Sequence, residues 1–241
     1  MSTKKKLLIY IPVFNDFQTL PFVLDEILAE KTLSDFDVTL LVLDDGSSDY
    51  RNLDYDKAVL FYRLSQNLGL GFSLKIAMRL CLSLNFDYLL RIDADGQHPV
   101  SSISGLLSQL KDNDFCLTYR KNHNARVRLS SFLKTIVKSF YSFSIKWLTN
   151  VYYKDVNSGM FALSQKACRK LSSFEFHVYP EPQLIALAHL SKLSVSEYEI
   201  EQETRLEGVS SLGLFSALKM IYYYLIFVFS LFFRRNKGRL C

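Results

Sequence analysis

The chain has 241 residues, of which 49% are hydrophobic and 22% are charged, and its formal net charge is +5. This length suits one domain or two small ones, and so much apolar material excludes a disordered or fibrous chain. The four cysteines show no C-x-x-C spacing, which argues against a zinc knuckle or a disulfide scaffold and fits a reducing cytosol. They are Cys81, Cys116, Cys168 and Cys241.

The N-terminal segment has three lysines at 4–6 followed by an apolar run over 7–14, a pattern similar to a signal peptide. The apolar run is short, is interrupted by Pro12 and has no small-residue cleavage site after it. We therefore interpret it as a buried first strand.

Apolar runs rich in β-branched and aromatic residues alternate with helical patterns along the first half of the chain. This alternation is typical of βαβ units and predicts an α/β fold with a mostly parallel, doubly wound sheet. In such sheets ligands bind beyond the carboxyl ends of the strands. The predicted strands are 7–14, 38–43, 58–64, 88–92 and 114–119, and the predicted helices are 18–31, about 70–84 and 99–111.

Two segments of the second half are basic and apolar and contain no acidic residue. Residues 120–154 hold eight Lys or Arg, and residues 208–241 hold five. Such segments favour an anionic and partly apolar partner, a membrane leaflet rather than nucleic acid. The pattern over 126–149 predicts a basic amphipathic helix, continuous or broken near 142–144. It is typical of a helix at a membrane interface, with packing on the sheet as the alternative.

The segment 214–233 contains Lys219 as its single charge. A helix of this length is about 30 Å long, enough to cross a bilayer. Crossing would carry Arg234 and Arg235 to the far side, against the positive-inside rule for a cytoplasmic catalytic body. We therefore favour an in-plane or re-entrant helix over a span, with a helix packed on the body or on a partner as the third option.

The strongest local signal is the pair Asp93 and Asp95, directly after the predicted strand 88–92. Two carboxylates at a strand end can both reach a divalent cation, and Gln97 can add an amide oxygen. Oxygen ligands of this kind suit Mg²⁺ or Mn²⁺, which usually share their shell with substrate phosphates. The nearby His98 is either a further ligand or a structural or helix-entry residue, and we favour the second interpretation.

Two further motifs lie at predicted strand ends. Asp44 and Asp45 close the second strand, where a carboxylate can accept N–H groups of a nucleobase, and Gly46 permits a tight turn. Gly69 and Gly71 precede a helix and allow close approach of a ligand or of another backbone. They match neither the dinucleotide-binding nor the Walker pattern.

Taken in chain order, the motifs resemble those of family-2 glycosyltransferases, most of all the dolichyl- or polyprenyl-phosphate mannose/glucose synthase branch and related surface-polysaccharide enzymes. The resemblance covers about residues 7–212. It implies a GT-A fold, a nucleotide-diphosphate sugar donor, Mg²⁺ or Mn²⁺, and inverting transfer. The motifs are Ile11-Pro12-Val13-Phe14-Asn15-Asp16, Leu43-Asp44-Asp45-Gly46-Ser47, Asn67-Leu68-Gly69-Leu70-Gly71, Asp93-Ala94-Asp95-Gly96-Gln97-His98-Pro99 and Asn157-Ser158-Gly159.

The resemblance also implies a role for individual residues of this chain. A nucleoside wall, a base and ribose pair, a metal-binding set and phosphate-contacting arginines are expected. The Arg-x-x-Gly-x-Ser loop that begins at Arg205 would lie on the acceptor side, where a guanidinium can pair with phosphate. The resemblance assigns Pro12, Phe14 and Asp16 to the nucleoside wall and Asp44 and Asp45 to the base and ribose. It assigns Asp93, Asp95 and Gln97 to the metal, and Arg120, Arg128 and Arg205 to phosphate contacts.

The chain departs from the family pattern at Phe14 (usually Tyr), Asp16 (usually Glu) and Ser211 (often Lys). The last departure weakens the expectation of a lipid-phosphate acceptor. Glu181 is the candidate general base for a hydroxyl acceptor, whereas a phosphate acceptor needs none. The alternative for Glu181 is a charge at a helix N-terminus, favoured by the helix dipole.

We therefore expect an inverting, metal-dependent glycosyltransferase with Asp95, Glu181 and Arg205 as catalytic residues. It would act at the cytoplasmic face of a membrane, as a peripheral or monotopic protein. The acceptor is a lipid-linked saccharide or a polyprenyl phosphate, the first slightly favoured because there is one C-terminal apolar segment. Residues 1–212 would form the catalytic domain and 213–241 a membrane-associating helix.

Two alternatives come from other classes of protein. A nucleotidyltransferase should show a glycine-rich loop with a basic residue after the first strand, where this chain has Asn15 and Asp16. A non-catalytic, nucleotide-binding membrane module is disfavoured by the intact carboxylate pair.

Overall fold

The computed structural model describes residues 4–55, 58–121, 129–176, 179–201 and 214–236. These residues form one seven-stranded sheet with helices on both faces. The strands are β1 (Lys5–Val13), β2 (Phe36–Asp44), β3 (Val59–Arg63), β4 (Tyr88–Arg91), β5 (Phe115–Arg120), β6 (Phe161–Ser164) and β7 (Val195–Ile200). The helices are α1 (Leu20–Ala29), α2 (Leu70–Ser83), α3 (Ile103–Gln109), α4 (Leu129–Thr149), α5 (Gln165–Leu171), α6 (Glu181–Leu190) and α7 (Leu214–Asn236), with short 3₁₀ turns at Lys31–Leu33 and Val100–Ser102.

The sheet order is β3-β2-β1-β4-β6-β5-β7, and every pairing except those of β6 is parallel. The predicted α/β fold with a mostly parallel sheet is therefore confirmed, as are all five predicted strands. β6 and β7 were not predicted. Because β6 alone runs the other way, the carboxyl ends of β1, β2, β4 and β5 meet at one edge of the sheet.

The central strand β1 is buried on both faces, as expected for a parallel strand covered by helices on either side. Leu8 and Tyr10 point into one core, which α2, α4, α5, α6 and α7 close. Leu7, Ile9 and Ile11 point into the second core, which α1 and α3 close. This two-sided burial fixes the strand ends that carry the polar loops.

Helix α4 is continuous, without the break considered near 142–144. Its residues Val137, Tyr141 and Ile145 are buried against the body. On its other face Phe143 is 74% exposed and Trp147 is 66% exposed. The helix therefore packs on the body, against α6 and α7, and still presents large aromatic side chains to the outside.

Helix α7 packs one face on the body, and its Tyr224 ring lies 4.7 Å from the ring of Tyr141 on α4. Its opposite face is exposed. Within the described ranges, no helix combines the length and the apolar character needed to cross a bilayer. The membrane association of α7, and the division between 1–212 and 213–241, stay predictions. The exposed apolar residues are Leu218, Tyr222, Leu225, Ile226 and Phe229.

Candidate active site

A cavity of about 330 Å³ opens where the loops after β1, β2 and β4 converge. The carboxyl edge of the sheet thus carries the site, as the α/β pattern predicts. Side chains from four separate motifs of the sequence face this one space. The predicted site residues that line it are Pro12, Phe14, Asp16, Asp45, Asp93 and Asp95.

The loop after β1 is locked to the loop after β2 by reciprocal hydrogen bonds. Asn15, at φ 60°, donates its backbone N–H to Ser47 Oγ over 2.9 Å. Its Oδ1 accepts the backbone N–H and the hydroxyl of Ser48 at 2.9 and 3.0 Å. These bonds hold the flanking Phe14 and Asp16 at the cavity wall, where the exposed Phe14 ring offers a stacking face.

Asp45 binds the segment that leads into α2. Its two carboxylate oxygens accept the backbone N–H groups of Leu68 at 2.7 Å and Gly69 at 2.8 Å. Burial raises the pKa of Asp45, and these two hydrogen bonds oppose that rise. The adjoining Gly46 has φ +77°, and a Cβ there would lie 2.8 Å from the Gln66 carbonyl carbon, so glycine is needed.

Asp44 does not reach the cavity. Its Oδ1 accepts the Ser47 backbone N–H at 2.8 Å, and its Oδ2 lies 3.2 Å from Arg63 Nε. The geometry gives Asp44 a role in holding the turn after β2. Its expected contact with base or ribose stays a prediction without structural support.

Arg91, which was not predicted as a site residue, lines the cavity at the end of β4. Its Nε and Nη2 donate to Asp93 Oδ1 at 3.1 and 2.8 Å, and its Nη1 donates to Glu181 Oε1 at 2.6 Å. Burial alone would lower the pKa of Arg91, but Asp93 and Glu181 raise it above its ordinary value. A single charge inside the apolar strand 88–92 was the available signal.

Asp93 is also confined on its other side. Its Oδ2 lies 3.7 Å from His98 Nε2. Burial alone would raise the pKa of Asp93, but Arg91 and His98 hold it well below its usual range. A Cβ on Gly159 would lie 1.9 Å from the same Oδ2, which explains a glycine in the Asn-Ser-Gly motif.

Asp95 is buried at the cavity wall, and its Oδ1 accepts the Gln97 backbone N–H at 3.1 Å. The Thr19 hydroxyl donates to the carbonyl of Ala94 at 2.6 Å, which ties the start of α1 to this loop. Gln97 is not among the described residues that line the cavity, so its role as a metal ligand stays a prediction.

The charges of the cavity suit a divalent cation. Four carboxyl groups and one guanidinium line it, so an anionic diphosphate would meet a net negative surface. Among the described residues, no three His, Cys, Asp or Glu side chains converge on a metal position. Mg²⁺ is commonly held by one or two carboxylates and completed by substrate phosphates. Asp95, with Asp93 beside it, fits that arrangement.

A second cavity, of about 270 Å³, lies at the carboxyl end of β5 and is lined mainly by bases. Asp155, which is 1% exposed, binds two of them: Arg120 Nε at 2.7 Å and Lys138 Nζ at 3.5 Å. A phosphate monoester suits this charge. We call it the basic cavity, and its charged lining residues are Arg120, Lys121, Lys138, Lys154 and Glu199.

The structure thus places Arg120 in the basic cavity. Arg128 and Arg205 lie outside the described residues, so their predicted contacts with acceptor and phosphate have no structural counterpart here. Glu181 is engaged by Arg91 and is not among the described residues lining either cavity. The neighbouring Tyr179, which the sequence did not single out as a site residue, lines the first cavity. We call that cavity the acidic cavity, after its lining residues Asp16, Asp45, Asp93 and Asp95.

Comparison with known sequences gives two matches. The sequence model of glycosyl transferase family 2 matches residues 8–171. A dolichyl-phosphate beta-glucosyltransferase of Drosophila melanogaster is 29% identical over an alignment of 244 positions, which covers 91% of this chain and 73% of that protein.

Comparison with solved structures shows the fold. A mycobacterial protein superposes with a TM-score of 0.65 at 17% identity, covering 90% of this chain and 74% of that one. Glucosyl-3-phosphoglycerate synthase of Mycobacterium tuberculosis, in complex with Mn²⁺ and UDP-glucose, superposes with a TM-score of 0.59 at 18% identity, covering 85% and 73%. The predicted GT-A architecture is therefore confirmed.

Proposed function

Because the chain belongs to glycosyl transferase family 2, we propose that it transfers a hexosyl group from a nucleotide-diphosphate sugar to a polyprenyl phosphate at a membrane surface. Family membership makes the chain a glycosyltransferase and sets aside the nucleotidyltransferase and non-catalytic alternatives. The donor, the acceptor, the metal and the membrane belong to the proposal.

One observation carries the proposal: an acidic cavity and a basic cavity lie at the same edge of the sheet. The acidic cavity requires a cation before it can hold a diphosphate, and the basic cavity suits a phosphate without one. A reaction that joins a diphosphate-linked sugar to a phosphate acceptor uses both. Asp155 holds Arg120 in the basic cavity, where we propose that the acceptor phosphate binds.

The donor would lie along the acidic cavity, with its base against Phe14 and its diphosphate near Asp95. Asp93 and Asp95 would hold Mg²⁺ or Mn²⁺, whose positive charge would stabilise the departing diphosphate. The Mycobacterium tuberculosis relative binds UDP-glucose with Mn²⁺. We therefore propose UDP-glucose as the first donor to test.

The acceptor is proposed to be a phosphate rather than a hydroxyl group, which reverses the slight preference drawn from the sequence. A hydroxyl acceptor needs a general base, and the candidate base Glu181 is engaged by Arg91. A phosphate oxygen is already anionic. The Drosophila relative is named for a dolichyl-phosphate acceptor, which supports the same choice.

The proposed step needs no proton transfer from the acceptor. A phosphate oxygen attacks the anomeric carbon from the side opposite the diphosphate, and a new carbon–oxygen bond forms. The bond from that carbon to the diphosphate oxygen breaks, and its electron pair leaves with the nucleoside diphosphate, so the configuration inverts. The chain's part is to position both phosphates and to exclude water.

A membrane location at the cytoplasmic face is proposed from the exposed apolar faces of α4 and α7. Phe143 and Trp147 on α4 and Phe229 on α7 are each well exposed, and Lys146 lies between the two on α4. Aromatic residues beside lysines are the pattern of a helix that lies in the headgroup region of an anionic leaflet.

A thermal-shift panel tests the donor side. The purified protein in mild detergent is heated with UDP, GDP, dTDP, CDP or ADP, each with and without Mn²⁺. A ligand at about 100 times its dissociation constant adds ~2.7 kcal/mol to the free energy of unfolding. We expect one diphosphate to raise the melting temperature only with metal. No shift with any of them would contradict the proposed function.

A further inference from the structure

We infer that Glu181 is a positioning residue that acts through Arg91 on Asp93, and not a general base. The inference rests on the proposed function, because it assigns Asp93 to the site of the donor diphosphate and its cation. The sequence had suggested Glu181 as a general base.

The guanidinium of Arg91 spans the two carboxylates. Nε and Nη2 both point at Asp93 Oδ1, and Nη1 points at Glu181 Oε1. The Arg91 side chain is 3% exposed, so water competes little for these bonds. Because guanidinium is planar and rigid, fixing one end of it also fixes the direction of the other.

Glu181 is well placed to be the fixed end. It is the first residue of α6, where the helix dipole favours a negative charge. The helix behind it is rigidly packed, with Leu184, Ile185 and Ala186 all buried in the core. An anchor on this helix transmits the position of α6 to the loop after β4.

The same geometry argues against Glu181 as a base. A general base has to lie within hydrogen-bond reach of the proton that it removes. The Oε1 of Glu181 faces Arg91, and Glu181 is not among the described residues that line the acidic cavity. Its neighbour Tyr179 occupies the wall at that point.

The arrangement has a consequence for the donor. With Glu181 present, the Arg91 charge is divided between two carboxylates, and Asp93 keeps part of its negative charge for the donor side. Without Glu181, the guanidinium pairs with Asp93 alone and can turn. Outer partners of metal-site residues typically change metal affinity or activity by about 10–100-fold when they are replaced.

Binding measurements without turnover test the inference. The dissociation constant of UDP in saturating Mn²⁺ is measured by calorimetry for the wild type, E181A, E181Q and R91K. We expect about 10-fold weaker binding for E181A and for R91K, which loses the planar fork. E181Q keeps an oxygen acceptor for Nη1 and should lose less than E181A.

A matched control removes an ion pair far from the site. K166Q breaks the 2.8 Å contact of Lys166 with Asp114, which precedes β5 at the opposite edge of the sheet. It should bind UDP as the wild type does. Melting temperatures of all variants verify that each is folded.

Two results would overturn the inference, and they are distinguishable. If E181A, E181Q and R91K, all folded, bind UDP in Mn²⁺ as the wild type does, Glu181 does not act on the donor site through Arg91, and the inference fails while the proposed function stands. If the wild type binds no nucleoside diphosphate of the panel with Mn²⁺, the proposed function fails and takes the inference with it.

Discussion

Arg120 donates its Nε–H to Oδ2 of Asp155 over 2.7 Å, and the aspartate is almost completely buried. The other oxygen of Asp155 lies 3.5 Å from Lys138 Nζ. One interior carboxylate thus sets the position of two cations that line the basic cavity. Both cations therefore add positive charge to the wall of the basic cavity.

Replacing Asp155 with Asn should weaken acceptor binding and leave the protein folded. Arg120 is 43% exposed, so solvent screens part of the lost attraction, and we expect a stability loss of about 1–2 kcal/mol. The KM for polyprenyl phosphate should rise about 10-fold, as the loss of about one charge-assisted hydrogen bond would produce. Asp114→Asn, at the opposite edge of the sheet, is the control. An unchanged acceptor KM in folded Asp155→Asn would contradict this role.

Gly159→Ala should damage the acidic cavity. The added Cβ would lie 1.9 Å from Asp93 Oδ2, which cannot move freely because Arg91 holds the same carboxylate. We expect a lower melting temperature and a loss of the metal-dependent shift with nucleoside diphosphate.

The matched control for Gly159→Ala is Gly105→Ala, whose Cβ would lie 2.1 Å from the hydroxyl of Tyr198, between α3 and β7. It should also destabilise the protein, but it should leave the nucleotide shift intact. Equal effects of both variants on nucleotide binding would show that the Gly159 result is a general loss of structure.

Asp95→Asn should abolish transfer and leave the fold intact. The variant keeps an acceptor for the Gln97 N–H but loses the charge that would hold the cation. We expect turnover to fall at least about 100-fold, equivalent to about 3 kcal/mol in the activation free energy. Asp112→Asn removes an exposed carboxylate and serves as the control. Wild-type turnover in folded Asp95→Asn would contradict the metal assignment.

Replacing Trp147 and Phe229 together with Ser should weaken binding to vesicles that contain anionic lipid. Each exposed aromatic contributes apolar area to a membrane contact, and we expect partitioning to weaken about tenfold or more. The control is Phe22→Ser on α1, since Phe22 is 65% exposed and Trp147 is 66% exposed. Co-sedimentation that is equally reduced by Phe22→Ser, or unaffected by the double variant, would contradict the proposed membrane face.

Stability should fall on mild acidification because of His189. Burial lowers the pKa of this imidazole, so near pH 6 the unfolded chain binds more protons than the folded protein. The contribution of His189 to stability is therefore complete above the pKa of about 6.5 in the unfolded chain. It is lost as the pH falls through the lower pKa of the folded protein. His189→Gln should reduce the fall in melting temperature between about pH 7.5 and about pH 5.5. An identical fall in both proteins would exclude His189 as its source.

The polar residues at the strand ends could be predicted from the sequence, but the contacts between residues far apart in the chain could not. Strands that are buried on both faces, such as β1 and β2, contain several apolar residues in succession, and this run can be recognised in the sequence. β6 has four residues, and β7 at the sheet edge carries Glu197 and Glu199, so neither shows an uninterrupted apolar run.

Within the site, the sequence did not show in which direction each side chain points. Asp44 and Asp45 are adjacent, and because neighbouring side chains of an extended chain point opposite ways, only one faces the cavity. The bond between Arg91 and Glu181 joins residues 90 positions apart. No local pattern encodes such a pair, so the two interpretations of Glu181 came from the family resemblance and from its place at a helix N-terminus.

The most direct test of the central claim is a transfer assay with two acceptors that differ by one group. The protein is incubated with radiolabelled UDP-glucose and Mn²⁺, together with either a polyprenyl phosphate or the corresponding polyprenol. We predict that labelled lipid forms with the polyprenyl phosphate and not with the polyprenol, and that mild acid releases the label from this lipid as free glucose. Label on the polyprenol or on an added lipid-linked saccharide, with none on the polyprenyl phosphate, would contradict the account.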